Sequence, residues 1–207
     1  MCRRCFPTSM RRRRSWPSYS PDRLSDTLLI LGLDPSSTST GYGLVSMQGR
    51  KLQYEDCGCF RSRAGAGFAA RLQTMYDGLV AVLQARRPDA VALESSFYGR
   101  DPDAAAKLGE ARGVLRLALV QAGFETALYS PAEVKKAVVG NGQANKEAVQ
   151  DMVVRLLKMT ELPPSFDASD ALAVAICHLH RGASKVSSGQ SVRKPEVEAL
   201  LRRVAHR

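Results

Sequence analysis

The sequence predicts one α/β domain around a central sheet, and three features of the 207-residue chain support that prediction. Residues 28–34 are an apolar run that ends in Asp34, which is typical of a strand buried on both faces. Residues 90–94 repeat this pattern and end in Glu94. Later segments, beginning with 67–85, place apolar residues at helical spacing. The length suits one domain with tails, since about 100–200 residues per domain is usual.

The first strand leads through a polar turn into a hairpin. Pro35 follows Asp34 and forces the chain to turn, and serines and threonines fill positions 36–40. Strands are predicted at about 42–48 and 51–60. Because only a short turn with a glycine joins them, we expect them to be antiparallel neighbours.

The other elements follow from apolar periodicity and from residues that begin or end helices. Ser130 and Pro131 form an N-cap and a first helical position, and Gly123 is expected to close the helix at 103–120. Small residues along that helix would let it approach the sheet or a partner chain closely. In chain order, the predicted elements are a helix at 67–85, a strand at 90–94, a helix at 103–120, a strand at 124–129, a short helix from Pro131, a helix from Lys146 and an apolar helix at 166–178.

The formal charge of +10 is concentrated at the two ends of the chain. Residues 1–27 carry a net charge of +5 and residues 182–207 a net charge of +4, whereas 28–181 carries only +1. We therefore expect a disordered basic arm at 1–27, a folded domain at 28–181 and a basic, mostly disordered tail at 182–207. Basic arms favour a polyanionic partner, most simply nucleic acid. The alternative is that they only aid solubility.

Cysteine usage and hydropathy indicate a cytoplasmic protein. The chain has five cysteines, an odd number, and we recognise no signal peptide, which favours a reducing compartment. No run of about 18 apolar residues is present, so we expect no membrane span.

Four carboxylates carry the chemical prediction. Asp34 and Glu94 end buried strands, and strand carboxyl ends gather along one sheet edge where ligands bind. Asp167 and Asp170 are three residues apart near the start of a helix, so they share one face of it. Taken singly, each has an ordinary explanation: an Asx turn for Asp34, and helix capping for Asp167 and Asp170.

Taken together, four converging carboxylates would repel one another unless cations enter. Oxygen-only ligands suit Mg²⁺ or Mn²⁺. Two such ions about 3.5–4 Å apart would activate a water and stabilise the leaving oxygen in phosphodiester hydrolysis. The acids therefore predict a site suited to that reaction.

Six motifs then occur in order: Leu33-Asp34-Pro35-Ser36, Thr40-Gly41-Tyr42-Gly43, Leu93-Glu94, residues 107–113, residues 134–142, and residues 167–173. In this order they resemble the bacterial RuvC-type Holliday-junction resolvases, over about residues 28–181. One departure is Ser36, which stands where many members have Gly. The resemblance implies a ribonuclease H-like fold: a five-stranded mixed sheet with three N-terminal antiparallel strands and two further parallel strands, flanked by helices on both faces.

The same resemblance implies an endonuclease that resolves four-way DNA junctions by paired symmetric nicks, in homologous recombination and DNA repair. It implies a homodimer, and the branch-migration motor complex that acts on the same junction is an expected partner. The implied cofactor is Mg²⁺, two ions per site, with Mn²⁺ as a substitute. The implied metal-binding acids are Asp34, Glu94, Asp167 and Asp170.

Basic and aromatic residues complete the implied site. Lys135 and Lys146 match two lysines that would hold or stabilise the phosphate, and Phe97 matches an aromatic that stacks on junction bases. The ordinary explanations are a solvated surface for Lys146 and core packing for Phe97. Candidate contacts to the DNA backbone, each equally consistent with a solvated face, are Arg100, Lys107, Arg112 and Lys136.

Two other functions fit parts of the sequence. A phosphotransferase of the actin and sugar-kinase type has a similar first phosphate loop, but 207 residues are too few for its two lobes. A non-catalytic junction-binding protein would explain the basic ends. It would leave the acids unexplained, because carboxylates repel DNA phosphates unless metal ions bridge them.

Overall fold

A five-stranded mixed sheet forms the centre of the molecule. The computed structural model describes residues 27–95 and 101–182. The strands in chain order are β1 (Thr27–Pro35), β2 (Ser39–Gln48), β3 (Lys51–Arg61), β4 (Ala90–Glu94) and β5 (Thr126–Tyr129). Their order across the sheet is β3-β2-β1-β4-β5.

The pairing of these strands confirms the predicted sheet. β1, β2 and β3 are antiparallel neighbours, whereas β4 runs parallel to β1 and β5 parallel to β4. Leu33 of β1 pairs with Leu93 of β4. The residues that follow them, Asp34 and Glu94, therefore emerge side by side at the carboxyl ends of two parallel strands.

Helices cover both faces of the sheet and enclose two apolar cores. One core lies between the sheet and α1 and α2, and contains Leu79 and Leu115. The other lies beneath α3, α4 and α5, and contains Val138, Val153 and Ile176. The helices are α1 (Phe68–Arg86), α2 (Pro102–Gln121), α3 (Pro131–Val139), α4 (Lys146–Leu157) and α5 (Phe166–Gly182).

A track of glycines lets α5 lie directly on β1 and β2. A Cβ atom added at Gly32 would overlap the backbone of Ala171, and one added at Gly41 would overlap the backbone of Asp167. At Gly43 an added Cβ would lie 2.6 Å from the backbone nitrogen of Leu172. The helix thus sits closer to the strands than any side chain would permit, which fixes its first turn over the strand ends.

Two strand boundaries differ from the sequence prediction by more than one residue. β2 begins at Ser39 rather than 42, because the turn after β1 is tight enough for Thr40 to pair with Pro35. β5 begins at Thr126 rather than 124, because the backbone N–H of Phe124 still bonds to α2, at the Leu119 carbonyl, 2.9 Å away.

The predicted helix cap at Ser130 is confirmed. Its side chain accepts from the Glu133 backbone while the Glu133 side chain accepts from the Ser130 backbone, with Pro131 at the first position. α4 begins at Lys146 as predicted, after an Asn145 cap. Among the described residues, none of the helices has the length and apolarity needed to cross a membrane.

Several sequence-based expectations fall outside the described residues. They are the basic arm, apart from Thr27, the basic tail, apart from Gly182, and the two loop residues Phe97 and Arg100.

Candidate active site

Two of the four predicted carboxylates project from adjacent parallel strands. Asp34 lies near the end of β1 and Glu94 ends β4. Successive side chains of a strand point to opposite faces, and Leu33 and Leu93 belong to the core beneath α1 and α2. Asp34 and Glu94 therefore lie on the other face, the one that α5 covers.

The first two turns of α5 bring the other two carboxylates to the same edge. Asp167 lies on the first turn and Asp170 follows three residues later, and Ser165 caps the helix by accepting from the Ala168 backbone N–H at 3.2 Å. The Cys59 thiol of β3 lies 2.9 Å from the same Ser165 hydroxyl. The N-terminal end of α5 is thus tied to the edge of the sheet.

Burial and mutual repulsion raise the pKa values of three of these carboxyl groups. Burial raises the pKa of Asp34 well above its ordinary value, and the charges of Glu94, Asp170 and Asp167 raise it further. Burial and then the charge of Asp170 raise the pKa of Glu94 to about 7. The pKa of Asp170 is also raised, chiefly by burial. The structure therefore places all four predicted acids close enough for their charges to act on each other. We call the region that they share at this sheet edge the carboxylate pocket.

Protein cations lie against the two carboxylates of α5. Lys146 Nζ lies 3.3 Å from Asp170 Oδ2, and Arg61 Nη2 lies 3.8 Å from Asp167 Oδ2. Burial tends to lower the pKa of Lys146, but the attraction of Asp170, Asp34 and Asp167 outweighs it, so the pKa is raised. Lys146 is therefore fully charged at neutral pH.

The other predicted basic residues differ in their distance from the pocket. The charges of Lys135 and Arg112, like that of Lys146, lower the pKa of Glu94, so both lie near the acids. Lys107 and Lys136 are exposed on α2 and α3.

Two side chains at this site were missed by the sequence reasoning. The Ser39 hydroxyl donates to Asp167 Oδ2 at 2.6 Å, and Arg61 approaches the same oxygen. Ser39 is one of five Ser or Thr residues in a row at 36–40, and Arg61 is an ordinary strand-end arginine. Only the approach of α5 distinguishes them from their neighbours.

The donor set fits a hard divalent cation, because four carboxylates offer oxygen ligands alone. In the described parts of the chain, however, no three His, Cys, Asp or Glu side chains are already arranged around a common metal position. Asp167 and Asp170 instead contact a hydroxyl group or a protein cation. Metal binding at this pocket therefore requires the two carboxylates to exchange or share those partners.

Comparison with known proteins gives a consistent result. A family profile described as crossover junction endodeoxyribonuclease RuvC matches residues 30–178. A protein of that name from Pseudoalteromonas atlantica is 43% identical over 166 residues, which is 80% of this chain and 95% of the relative. A protein of the same name from Pseudomonas fluorescens strain Pf-5 is 48% identical over 161 residues, 78% of this chain and 91% of the relative.

Solved structures agree with the sequence relatives. The Thermus thermophilus RuvC in complex with a Holliday junction substrate superposes with a TM-score of 0.71 at 31% identity, over 76% of this chain and 96% of that one. The yeast mitochondrial Holliday junction resolvase Ydc2 shares the fold, with a TM-score of 0.53 at 14% identity over 74% of this chain and 78% of that one.

Proposed function

The chain belongs to the RuvC family of crossover junction endodeoxyribonucleases, and we propose that its carboxylate pocket is the site at which it cuts DNA. It is a structure-selective endonuclease that resolves four-way junctions by paired symmetric nicks in homologous recombination and DNA repair. One observation supports the choice of site. Carboxylates from three separate elements act on one another at one edge of the sheet, namely Asp34, Glu94, Asp167 and Asp170.

The family depends on a divalent metal ion, and we propose Mg²⁺, two ions per site, with Mn²⁺ as a substitute. Asp34, Glu94, Asp167 and Asp170 would hold them. When bound, such ions supply an activated water and offset the charge on the leaving oxygen. Burial and the charge of Asp170 raise the pKa of Glu94 to about 7, so a bound cation would favour the ionised form of Glu94 and also relieve the repulsion within the pocket.

Lys135 and Lys146 would act on the phosphate rather than on the metal. The Lys146 side chain is 58% exposed and pairs with Asp170, so its ammonium group is available to a phosphate that approaches these acids. Lys135 is half-buried on α3, and its charge lowers the pKa of Glu94. Fixed positive charge at these positions would stabilise the negative charge that develops on the phosphate during cleavage.

Further basic residues would hold the junction around the site. Arg112 lies near Glu94, and the exposed Lys107 and Lys136 would contact the DNA backbone farther out. We also assign a DNA contact to Arg100 and base stacking to Phe97, both outside the described residues. The basic arm and tail would add affinity that depends on salt but not on sequence.

A homodimer would supply the two pockets that paired nicks require. An apolar stripe on α2 suits such an interface, since Gly109, Gly113, Leu117 and Val120 repeat at intervals of four, four and three residues. Leu117 is 54% exposed and Val120 is 42% exposed. Within the described residues, apart from the adjoining backbone of α2 itself, no atom lies within 4 Å of a Cβ added at Gly109 or Gly113. A second copy of this helix would cover an exposed apolar surface.

Two further parts of the proposal concern the cellular setting. The branch-migration motor complex that acts on the same junction is a proposed partner. A cytoplasmic location is supported by the free thiols of Cys57, Cys59 and Cys177, the three cysteines in the described residues. Neither the phosphotransferase nor the non-catalytic binding protein finds support in the comparisons.

A cleavage assay on a synthetic four-way junction tests the proposed site. We expect wild-type protein to cut the junction with Mg²⁺ and not with EDTA, and Asp34→Asn to slow cutting more than about 100-fold while junction binding in EDTA persists, because only the metal-holding group is altered. Asp77→Asn, an exposed change on α1, is the matched control and should cut normally. Wild-type cutting by Asp34→Asn would show that the pocket is not the active site.

A further inference from the structure

The Ser39 hydroxyl is buried against one of the proposed metal ligands. Ser39 begins β2 and is 2% exposed, and its Oγ donates to Asp167 Oδ2 at 2.6 Å. The two residues are 128 positions apart in the chain, so the bond joins the sheet to the first turn of α5. Arg61 approaches the same Oδ2 atom. Both polar contacts of the Asp167 side chain among the described residues thus fall on one oxygen.

Ser36 holds Ser39 in the orientation that this bond requires. The backbone N–H of Ser36 donates to the Ser39 carbonyl at 2.8 Å, and the Ser36 hydroxyl donates to the same carbonyl at 2.8 Å. The Ser39 backbone N–H in turn donates to the Ser36 hydroxyl at 3.0 Å. A glycine at position 36 would keep the first of these bonds and lose the other two. The side chain of Ser36 therefore closes the turn that follows Asp34.

We propose that Ser39, held by Ser36, is a positioning residue for Asp167. Its hydroxyl engages Oδ2 and fixes the carboxylate plane, which leaves Oδ1 as the oxygen that a divalent ion would take. Carboxylates that bind metal ions are in general hydrogen-bonded by such outer partners, whose loss weakens metal affinity or activity by about 10–100-fold. This role rests on the proposed function, in which Asp167 is a metal ligand.

The chain offers a matched control on the same strand. Ser46 of β2 is also 2% exposed, and its hydroxyl also makes a 2.6 Å bond to a carboxylate, that of Glu55. Ser46→Ala and Ser39→Ala therefore remove the same kind of buried hydrogen bond. Only Ser39→Ala removes it from the pocket, so a general loss of stability would affect the two variants alike.

Calorimetric titration of the DNA-free protein with Mn²⁺ tests the role without relying on activity. Ser39→Ala should bind Mn²⁺ about 10–100-fold more weakly than wild type, whereas Ser46→Ala and the hydroxyl-retaining Ser39→Thr should stay near wild type. Ser36→Gly should weaken binding by less than Ser39→Ala. The Mg²⁺ concentration that half-saturates junction cleavage should shift in the same order, while junction affinity in EDTA stays constant.

Asp167→Asn separates failure of this role from failure of the proposed function. If Asp167→Asn weakens Mn²⁺ binding and Ser39→Ala does not, the role of Ser39 is wrong and the metal site stands. An equal loss in Ser46→Ala would likewise overturn it, and wild-type binding by Ser36→Gly would overturn the role of Ser36. If Asp167→Asn binds Mn²⁺ as wild type does, the metal site itself is misassigned.

Discussion

Asp34 is the residue at which the demands of folding and of chemistry conflict most directly. It lies at the end of a buried strand, and both burial and three neighbouring carboxylates disfavour its ionised form. A carboxylate in such a place destabilises the folded protein at neutral pH unless a cation offsets its charge. Glu94 adds to this effect, since its pKa is raised to about 7.

The first prediction follows from these raised pKa values. A carboxyl group whose pKa is higher in the folded state than in the unfolded state lowers the free energy of unfolding. This loss of stability is absent when the pH is below the unfolded-state pKa, and it grows as the pH rises to the folded-state pKa. In EDTA, the free energy of unfolding should therefore fall as the pH rises from about 4.5 to about 7, the window set by Glu94. Asp34→Asn should raise the free energy of unfolding at pH 7.5, and by less at pH 5, because it removes a buried group that is costly to ionise.

Urea denaturation at the two pH values provides the measurement, and the exposed Asp77→Asn provides the control, with little expected change. Addition of Mg²⁺ at pH 7.5 should stabilise wild type more than Asp34→Asn, because binding to the folded state alone raises stability. If Asp34→Asn is less stable than wild type in EDTA at pH 7.5, the Asp34 carboxyl group does not destabilise the folded protein.

Helix α5 is the element that assembles the pocket, and the sheet accommodates it through missing side chains. Gly32, Gly41 and Gly43 lie beneath the helix backbone, and all three lie at alternate positions on one face of β1 or β2. The helix supplies Asp167 and Asp170 from its first two turns, so a small displacement of its N-terminal end would separate them from Asp34 and Glu94.

The second prediction is that Gly41→Ala disrupts the pocket. The new methyl group would overlap the carbonyl oxygen of Asp167, and overpacking of this kind costs about 1–3 kcal/mol or more. Because the N-terminal end of α5 must move, we expect junction cleavage to fall by more than the loss of folded protein alone would explain. The measurement is cleavage of a four-way junction well below the melting temperature of the variant.

Gly67→Ala is the comparison for this change. A Cβ at Gly67 would have no atom within 4 Å in the parts of the chain that the structure describes, its own chain neighbours aside, and the φ of −62° suits alanine. We expect it to cost less than about 1 kcal/mol and to leave cleavage unaffected. Wild-type cleavage by Gly41→Ala would mean that α5 does not need this close approach.

At the scale of the whole molecule, the proposed active pocket lies on the face of the sheet that α5 covers, and an apolar stripe lies on α2, which covers the other face. Paired nicks on two strands need two such pockets at a fixed separation. A homodimer formed through the α2 stripe would provide that spacing, with the two copies related by symmetry.

The third prediction is that Leu117→Lys converts the proposed dimer to a monomer. A charged side chain at the centre of an apolar interface should raise the dimer dissociation constant at least tenfold, since central contacts carry most of the binding energy. Light scattering coupled to size exclusion would report the mass of each species. Leu162→Lys, at another exposed leucine (64%) outside the stripe, should remain dimeric. A Leu117→Lys protein that stays dimeric would place the interface elsewhere.

Local sequence determined much of this structure. The apolar runs that end in Asp34 and Glu94, the cap at Ser130 and the start of α4 at Lys146 depend on residues within a few positions of each other, and all four are as predicted. The five-stranded mixed sheet, with three N-terminal antiparallel strands and two further parallel strands, was predicted through the family resemblance and is likewise confirmed. The order of the strands across the sheet comes from the structure. The role of each acid at the pocket remains a prediction.

Tertiary structure alone decided which hydroxyl group and which arginine contact Asp167. Ser39 is one polar residue among five in its turn until α5, 128 positions later, places Asp167 against its hydroxyl. Arg61 is likewise an exposed strand-end residue until the same carboxylate approaches it. Contacts of this kind depend on how closely a helix can pack on a sheet. Close packing is possible here because three positions lack a side chain, namely Gly32, Gly41 and Gly43. No local pattern in the sequence reveals which residues of α5 contact the strands as a result.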